Sequence, residues 1–166
     1  MRTVVITGIA EGLGHTLAEL YTRRGERVYG VDIAAGALDR LRSSLPGVEA
    51  WQADVSQPAD AAAVFGEIAS RGYTVDVLIN NVGVAGPRAN LEDISVEDWI
   101  TTIQTNLTGA FLFIKHVLPG MKAQRSGAIV NVSTASVRTL PVGRSPYIAS
   151  KVALEGLTRA GGTRSR

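Results

Sequence analysis

The chain has 166 residues, which is enough for one compact domain with its own hydrophobic core and too few for two ordinary domains. Hydrophobic residues make up 45% of it and charged residues 19%, a composition typical of a globular protein rather than a disordered one. A net charge of +2 argues against a nucleic-acid-binding surface, and the absence of cysteine excludes a disulfide framework and thiolate metal sites.

The N-terminal residues predict neither export nor insertion into a membrane. The sequence from Met1 to Gly14 lacks a cleavage site, and its apolar run is shorter than the core of a signal peptide. No stretch of the chain approaches the roughly 18 apolar residues that a membrane helix needs. We therefore expect a cytoplasmic protein that has no membrane, nucleic-acid or metal partner.

The first half of the chain alternates predicted strands with predicted helices. Residues 4–7 form a β-branched run that predicts a strand, and leucines at helical spacing from Gly12 predict a helix that ends at Gly25. The same strand–helix pattern recurs twice, with Pro58 in the first turn of the third helix, where its missing N–H has no cost. It predicts strands at 27–32 and 48–53, and helices at 36–45 and 58–71.

The second half continues this alternation. Residues 73–81, YTVDVLINN, have an almost unbroken apolar centre, as in a parallel strand covered on both faces. After a glycine-rich loop at 83–90, Ser95 and Asp98 predict the capped start of a helix around Trp99. The remaining predicted elements are a helix at about 106–124, a strand at 128–133, a loop at 137–146 and a helix at 147–160.

This order of elements predicts the fold class. Strands that alternate with helices over five repeats indicate right-handed crossovers, which place helices on both faces of a parallel sheet. We therefore expect an α/β protein with a Rossmann-like, doubly wound parallel sheet of five strands. It occupies residues 1–160 as one domain, and the glycine pair at 161–162 ends the last helix and begins a basic tail at 161–166.

The turn between the first strand and the first helix, TGIAEGLG, contains Gly8, Gly12 and Gly14. A pyrophosphate is bound at such a turn by main-chain amides and by the positive end of the helix dipole, which requires close approach of the backbone. The spacing is wider than in the standard G-x-G-x-x-G fingerprint, and a plain tight turn is the alternative. The flanking strand and helix favour a nucleotide site.

Asp32 ends the second predicted strand, twenty residues after Gly12. A carboxylate at this position accepts hydrogen bonds from ribose hydroxyls in dinucleotide-binding proteins, whereas by itself it would be a solvated acid at a strand end. Its charge would also repel a 2′-phosphate, and Glu11 in the glycine turn adds to that repulsion. The sequence therefore favours NAD over NADP.

Tyr147 lies four residues before Lys151 in the predicted last helix, so the two side chains project from one helix face. A free phenol has a pKa near 10 and is a weak base at neutral pH, but a neighbouring cation favours the phenolate. Such a pair could exchange a proton with an alcohol or carbonyl oxygen. Without a cofactor site, the same pair would be read as an ordinary surface helix.

Taken together, these motifs resemble the short-chain dehydrogenase/reductase family. The resemblance extends from about Thr3 to Ala160, and the motifs follow one another in the family's order. The motifs that carry it are TGIAEGLG, Asp32, Asp54, NNVG at 80–83, Asn106 in NLTGAF, IVNVST at 129–134 and YIASK at 147–151.

The resemblance implies roles for individual residues. Tyr147 would be the general acid/base, Lys151 would hold the nicotinamide ribose and favour the phenolate, and Asn106 would anchor a water that relays protons to the lysine. Asp54 and Val55 would contact adenine, and Asn80 and Gly83 would lie beneath it and its ribose. The full implied set of cofactor-binding residues is Gly8, Glu11, Gly12, Leu13, Gly14, Asp32, Ile33, Asp54, Val55, Asn80, Gly83, Tyr147 and Lys151.

Structural roles remain open for three of these positions. Asn106 could cap or kink a helix, the asparagines at 80–81 could satisfy amides at a strand end, and Asp54 could cap a turn. In the family, a serine thirteen residues before the tyrosine orients the substrate, and this chain has Thr134 there. Ser133 is the weaker candidate, because on a strand it should point to the opposite face.

The resemblance further implies an NAD-dependent oxidoreductase that interconverts a secondary alcohol and a ketone. The chain is shorter than the family's usual length, so two strands and part of the substrate wall are expected to be missing and the fifth strand to form an exposed edge. A nucleotide-binding domain that does not turn over is the first alternative, and an epimerase or dehydratase is the second. The helices at 106–124 and 147–160 would pair in a homo-oligomer.

Overall fold

The computed structural model describes residues 1–161, which form an α/β fold around one parallel sheet. The strand order is β3-β2-β1-β4-β5, so the chain builds one half of the sheet outward from β1 and then crosses back to the other side of β1. The predicted fold is confirmed. The strands are β1 (Thr3–Thr7), β2 (Arg27–Asp32), β3 (Val48–Gln52), β4 (Val77–Asn80) and β5 (Ala128–Asn131).

Helices follow the strands in the predicted alternation, and local sequence signals set several of their ends. Pro58 occupies the first turn of its helix, Gly25 takes a left-handed φ of 72° just after the first helix, and the Ser95 hydroxyl accepts from the Asp98 amide at 3.0 Å. The α-helices are α1 (Gly12–Arg23), α2 (Ala35–Ser44), α3 (Pro58–Ser70), α4 (Val96–Ile103), α5 (Gly109–Ala123), α6 (Ser136–Thr139) and α7 (Ser145–Gly161).

The hydrophobic core lies on both faces of the sheet. Alternate residues of β1 point to opposite faces, so Val5 packs with Phe113 of α5 on one side, and Val4 and Ile6 pack with Leu38 of α2 on the other. Covering both faces explains why β1 and β4 are apolar at almost every position. In β1 and β4, the polar side chains therefore lie at the strand ends.

One helical segment differs from its prediction. The sequence predicts two separate helices, one around Trp99 and one from about Asn106, but α4 continues into α5 through a π-helical turn at Gln104–Thr108. No glycine or proline interrupts residues 96–108, so the chain has no local reason to leave the helix. The wider turn accommodates Asn106, which is buried with 1% of its surface exposed.

The region after β5 differs in two further ways. The predicted loop at 137–146 contains the four-residue helix α6, which ends at Leu140 in a left-handed conformation with φ of 46°. The predicted strand at 128–133 ends at Asn131, so the expectation that Ser133 lies on a strand is wrong. Within the described residues β5 is an edge strand, and Val130 is 47% exposed there. Apart from Gly161, the predicted basic tail lies outside the described residues.

Candidate functional site

A cleft of about 550 Å³ lies at the carboxyl ends of the strands. It opens where the chain crosses from one half of the sheet to the other, the usual position of ligand sites in doubly wound proteins. Four of the strand ends contribute to it. The lining residues are Gly8, Glu11, Asp32, Ile33, Ala53, Asp54, Val55, Ser56, Gln57, Asn81, Val82, Gly83, Val84, Thr101, Gln104 and Thr105.

The glycine turn shapes one end of this cleft. Gly8 has a left-handed φ of 65°, and its amide donates to the Val31 carbonyl at 2.8 Å, which joins the turn to β2. A Cβ on Gly14 would lie 1.9 Å from the Gly8 carbonyl oxygen, so only glycine lets the helix start pack this closely. A Cβ on Gly12 would meet nothing within 4 Å, so the turn faces open space there.

The Asp32 carboxylate is held in a fixed orientation beside the glycine turn. One oxygen accepts from the Ala10 amide and the other from the Ala34 amide, both at 3.1 Å. Each oxygen keeps free acceptor capacity for hydroxyls in the cleft. Ile33, also predicted at the cofactor, follows it at the cleft with 65% of its surface exposed.

Glu11 extends from the glycine turn to α2. Its carboxylate forms an ion pair with Arg40 at 2.5 Å, and both side chains are 70% exposed. Solvent screening makes such a pair weak. Leu13 lies nearby on the exposed surface of α1 and, like Gly12 and Gly14, is not a lining residue of the cleft.

Asp54 and Val55 line the cleft after β3. Asp54 caps a turn, the alternative role considered for it above: its carboxylate accepts from the Ser56 amide at 2.9 Å. Val55 lies against the helix after the π turn, where a Cβ on Gly109 would be 2.9 Å from it. The pair therefore presents one apolar and one anionic side chain to the cleft.

The two asparagines at the carboxyl end of β4 have different partners, as expected for consecutive residues at a strand end. The Asn80 amide donates to Asn131 of β5 at 2.8 Å, and this side chain is buried outside the cleft. Asn81 instead lines the cleft and donates to the carbonyls of Thr7 and Gly8 at 3.1 and 3.0 Å. Asn81, which the sequence analysis did not assign to the cofactor, thus joins β4 to the glycine turn.

Lys151 is the buried cation of the region. Its ammonium donates to the Val132 carbonyl at 2.8 Å, and only 3% of its surface is exposed. Burial lowers the pKa of Lys151, because removal from water disfavours the charged form. A Cβ on Gly83 would lie 3.1 Å from this ammonium. Since Gly83 lines the cleft, the lysine lies directly behind the cleft wall.

Asn106 joins the π turn to the loop after β4 and to α7. Its Oδ1 accepts from the Val84 amide at 2.7 Å, and its Nδ2 donates to the Val84 carbonyl at 2.9 Å and to Ser150 Oγ at 3.0 Å. Ser150 in turn donates to the Tyr147 carbonyl at 2.7 Å. Ser150, missed in the sequence analysis, thus connects Asn106 to the helix that carries the tyrosine and the lysine.

Tyr147 and Lys151 lie on one helix, α7, one turn apart as predicted. Thr134 lies two residues before α6, half-buried, with its hydroxyl oxygen accepting from the Ser136 amide at 3.2 Å. Ser133 donates instead to Glu155 of α7 at 2.9 Å. The two hydroxyls therefore have different partners, and Ser133 is bound to the helix.

The fold and the cleft define a Rossmann-type α/β protein. A family model for short chain dehydrogenase matches residues 2–164, so the chain belongs to the short-chain dehydrogenase family. It is 38% identical to cis-4-hydroxycyclohexanecarboxylate dehydrogenase of Sinomonas cyclohexanicum, covering 96% of this chain and 65% of that protein. It is 33% identical to an NADPH-dependent pterin aldehyde reductase of Arabidopsis thaliana, covering 96% and 67%.

A solved structure gives the same result for the fold. The short-chain dehydrogenase from Streptomyces avermitilis superposes with a TM-score of 0.89 at 29% identity, covering 96% of this chain and 58% of that one. The present chain thus spans about two thirds or less of the length of these relatives.

Among residues 1–161, none of the helices has the length and apolar character that a bilayer-spanning helix requires. The same residues contain no group of three or more histidine, cysteine, aspartate or glutamate side chains arranged to hold a metal ion.

Proposed function

We propose that the protein is an NAD-dependent oxidoreductase that interconverts a secondary alcohol and a ketone, with Tyr147 as the general acid/base. One observation carries this proposal: Gly83 lines the cleft and at the same time lies against the Lys151 ammonium, one helical turn from Tyr147. A glycine at that point lets a ligand in the cleft approach the lysine without an intervening side chain.

The residues present fit a dinucleotide. The open glycine turn at the start of α1 offers unobstructed main-chain amides and a helix N-terminus for a pyrophosphate. Asp32 offers two fixed carboxylate oxygens for ribose hydroxyls, and Asp54 and Val55 offer an edge and an apolar surface for adenine. When bound, the oxidised nicotinamide is the oxidant that accepts the hydride from the alcohol carbon.

The chain's own residues move the proton. During alcohol oxidation the substrate O–H bond breaks and its proton passes to the Tyr147 phenolate, while the C–O bond becomes a carbonyl. During ketone reduction Tyr147 returns that proton to the oxygen. In this proposal the Lys151 ammonium lies behind the cleft wall one helical turn from Tyr147, and Thr134 donates a hydrogen bond that orients the substrate oxygen.

Asn106 supports this site through the main chain. Its side-chain amide is committed to Val84 and Ser150, so it holds the loop after β4 against α7. We propose that Asn106, placed in the π turn, anchors a water next to Lys151. This water would carry protons between the buried lysine and solvent.

NAD is the preferred coenzyme in this proposal. Asp32 lies beside the proposed ribose position, where a 2′-phosphate would meet a carboxylate that two main-chain amides hold in place. Glu11 contributes less than the sequence alone suggests, because Arg40 partly offsets its charge. The Arabidopsis relative is named as NADPH-dependent, so the preference requires direct measurement.

A second candidate function is dinucleotide binding without turnover. The exposed edge strand β5 favours it, since Val130 of this strand is 47% exposed. An uncovered edge leaves backbone groups of β5 unpaired next to the segment that leads to Thr134. Both candidates predict binding of NADH, and only the first predicts reaction.

The experiment titrates NADH by fluorescence and then scans secondary alcohols with NAD⁺ by the absorbance of the reduced nicotinamide. We expect Tyr147→Phe to lower kcat by about 10²–10⁴-fold, the usual contribution of general acid–base catalysis, with little change in the Kd for NADH. Tyr73→Phe is the matched control, because Tyr73 stacks on Arg27 far along the sheet.

The outcomes separate the candidates. Binding of NADH without reaction across a broad panel of alcohols and ketones would support the second candidate. Equal loss of binding and turnover in Tyr147→Phe would contradict the role given to the phenol. Absence of NADH binding would contradict both.

A further inference from the structure

Three consecutive residues at the end of β5 are each bound to α7. Asn131 Nδ2 donates to Thr158 Oγ1 at 2.8 Å, the Val132 carbonyl accepts from Lys151 Nζ at 2.8 Å, and Ser133 Oγ donates to Glu155 Oε1 at 2.9 Å. Helix positions 151, 155 and 158 lie on one face, so a single face of α7 receives all three bonds.

The bond between Ser133 and Glu155 lies at the position where the sheet ceases to hold the chain. The Val132 amide donates to the Asn80 carbonyl at 2.9 Å, which continues the pairing of β5 with β4 by one residue. After Val132, the hydrogen bond from the Ser133 side chain to Glu155 fixes the chain just before Thr134. Because its acceptor is a carboxylate, this hydrogen bond is of the stronger, charge-assisted kind.

We propose that Ser133 and Glu155 are positioning residues: their hydrogen bond holds the Val132 carbonyl against the Lys151 ammonium and fixes the main chain that carries Thr134. Neither residue needs to touch substrate or cofactor for this role. The part of the inference that concerns turnover rests on the proposed function, whereas the effect on Lys151 does not.

Competitive labelling of lysines tests the effect on Lys151 without any turnover. The chain contains three lysines, and Lys115 and Lys122 are both exposed and serve as internal references. The intact protein is treated with a limiting amount of acetic anhydride, and peptide mass spectrometry gives the labelling rate of Lys151 relative to the references. In the unaltered chain Lys151 should react slowly, because it is buried and hydrogen-bonded.

We expect Ser133→Ala and Glu155→Ala each to raise the relative labelling of Lys151 by about tenfold, as loss of a hydrogen bond to a charged group allows. Glu155→Gln keeps a carbonyl acceptor and should stay near the unaltered rate. Arg159→Gln is one control, because it removes only the other contact of Glu155, at 3.5 Å. Thr158→Val is the second, because it breaks a bond of similar length between the same strand and helix.

Two results would overturn the proposal. The first is an unchanged labelling rate in Ser133→Ala and Glu155→Ala. The second is an equal rise in Thr158→Val, which would show general loosening of β5 from α7 rather than a specific effect at Val132. Thermal unfolding of every variant, measured by circular dichroism, identifies those that loosen globally.

The turnover arm uses the full chain and the best alcohol from the panel. Ser133→Ala and Glu155→Ala should lower kcat, leave the Kd for NADH within about twofold, and be rescued in Glu155→Gln, since the carbonyl still accepts. An unchanged kcat alongside faster labelling would overturn the positioning role. If the unaltered chain binds no NADH, the proposed function fails, while the labelling result still decides whether the bond holds Lys151.

Discussion

The Lys151 ammonium and the Val132 carbonyl meet at 2.8 Å, so a buried cation on α7 is bound to the main chain just after β5. This contact brings the helix of the tyrosine–lysine motif to the carboxyl edge of the sheet. The same ammonium lies next to Gly83, so the contact also fixes the distance between α7 and the cleft wall.

The lowered pKa of Lys151 predicts a pH dependence of stability. Between that lowered pKa and the ordinary value of 10.5, the unfolded chain binds a proton that the folded chain has released, so the free energy of unfolding rises with pH. Below the lowered pKa the full desolvation penalty of the ammonium is present. Lys151→Met has no such group, so the unaltered chain should gain stability relative to it as the pH rises from neutral to about 10.

Urea unfolding of both proteins at several pH values measures this difference. Using the difference cancels the titration of tyrosines and other groups that both chains share. Two results would contradict a lysine whose pKa is lowered by burial. The difference between the two free energies of unfolding could stay constant with pH, or Lys151→Met could become the more stable of the two as the pH rises.

Asp32→Asn should weaken the discrimination against NADPH. The change removes the charge beside the ribose position while keeping one acceptor oxygen, so the ratio of the Kd values for NADPH and NADH should fall by about tenfold or more, an effect that high salt reduces. Fluorescence titration at low and high salt measures it. Asp39→Asn is the control, because Asp39 is an exposed carboxylate of α2 paired with Arg42; an equal change there would remove Asp32 from the ribose site.

Gly14→Ala should destabilise the fold strongly. Its Cβ would lie 1.9 Å from the Gly8 carbonyl oxygen, so the glycine turn must shift, at a cost of about 3 kcal/mol in the free energy of unfolding. Gly66→Ala in α3 meets nothing within 4 Å and should instead stabilise the protein by about 0.5–1 kcal/mol, because alanine favours helix. Thermal and urea unfolding compare the two; similar effects would contradict the close packing of the turn.

Ser150→Ala tests the link between Asn106 and α7. It removes the acceptor of a buried Asn106 N–H, which should lower the free energy of unfolding by about 1–3 kcal/mol. Ser43→Ala on α2 also removes a hydroxyl bonded to its own helix, but at an exposed position, and should change stability by less than about 0.5 kcal/mol. A loss in Ser150→Ala no larger than in Ser43→Ala would show that Asn106 does not need this partner.

Part of the candidate site could be predicted from the sequence because it depends on local spacing. The glycines at 8, 12 and 14 follow a strand directly and open a helix, and Asp32 ends the next strand, so their meeting at one sheet edge follows from parallel topology. The four-residue spacing of Tyr147 and Lys151 similarly fixes their common helix turn.

Other features of the site depend on contacts between segments far apart in the chain. The NN pair at 80–81 does not show which side-chain amide faces the cleft. That depends on the partner strand β5, where Asn131 accepts a hydrogen bond from the Asn80 side chain. Ser133 was expected to face away along a strand, yet the strand ends earlier and Glu155 binds it, 22 residues further along. The cleft residues of the helix around the π turn, Thr101, Gln104 and Thr105, carry no motif at all.

The sequence by itself determined the order of strands and helices, the open glycine turn and the tyrosine–lysine pair, because backbone propensity and short-range periodicity act within a few residues. Only the tertiary structure decided which asparagine lines the cleft, what binds the buried lysine and how Asn106 is held. Each of these depends on hydrogen bonds made when the ends of β4 and β5 pack against α7, and a buried polar group takes whichever partner the fold brings to it.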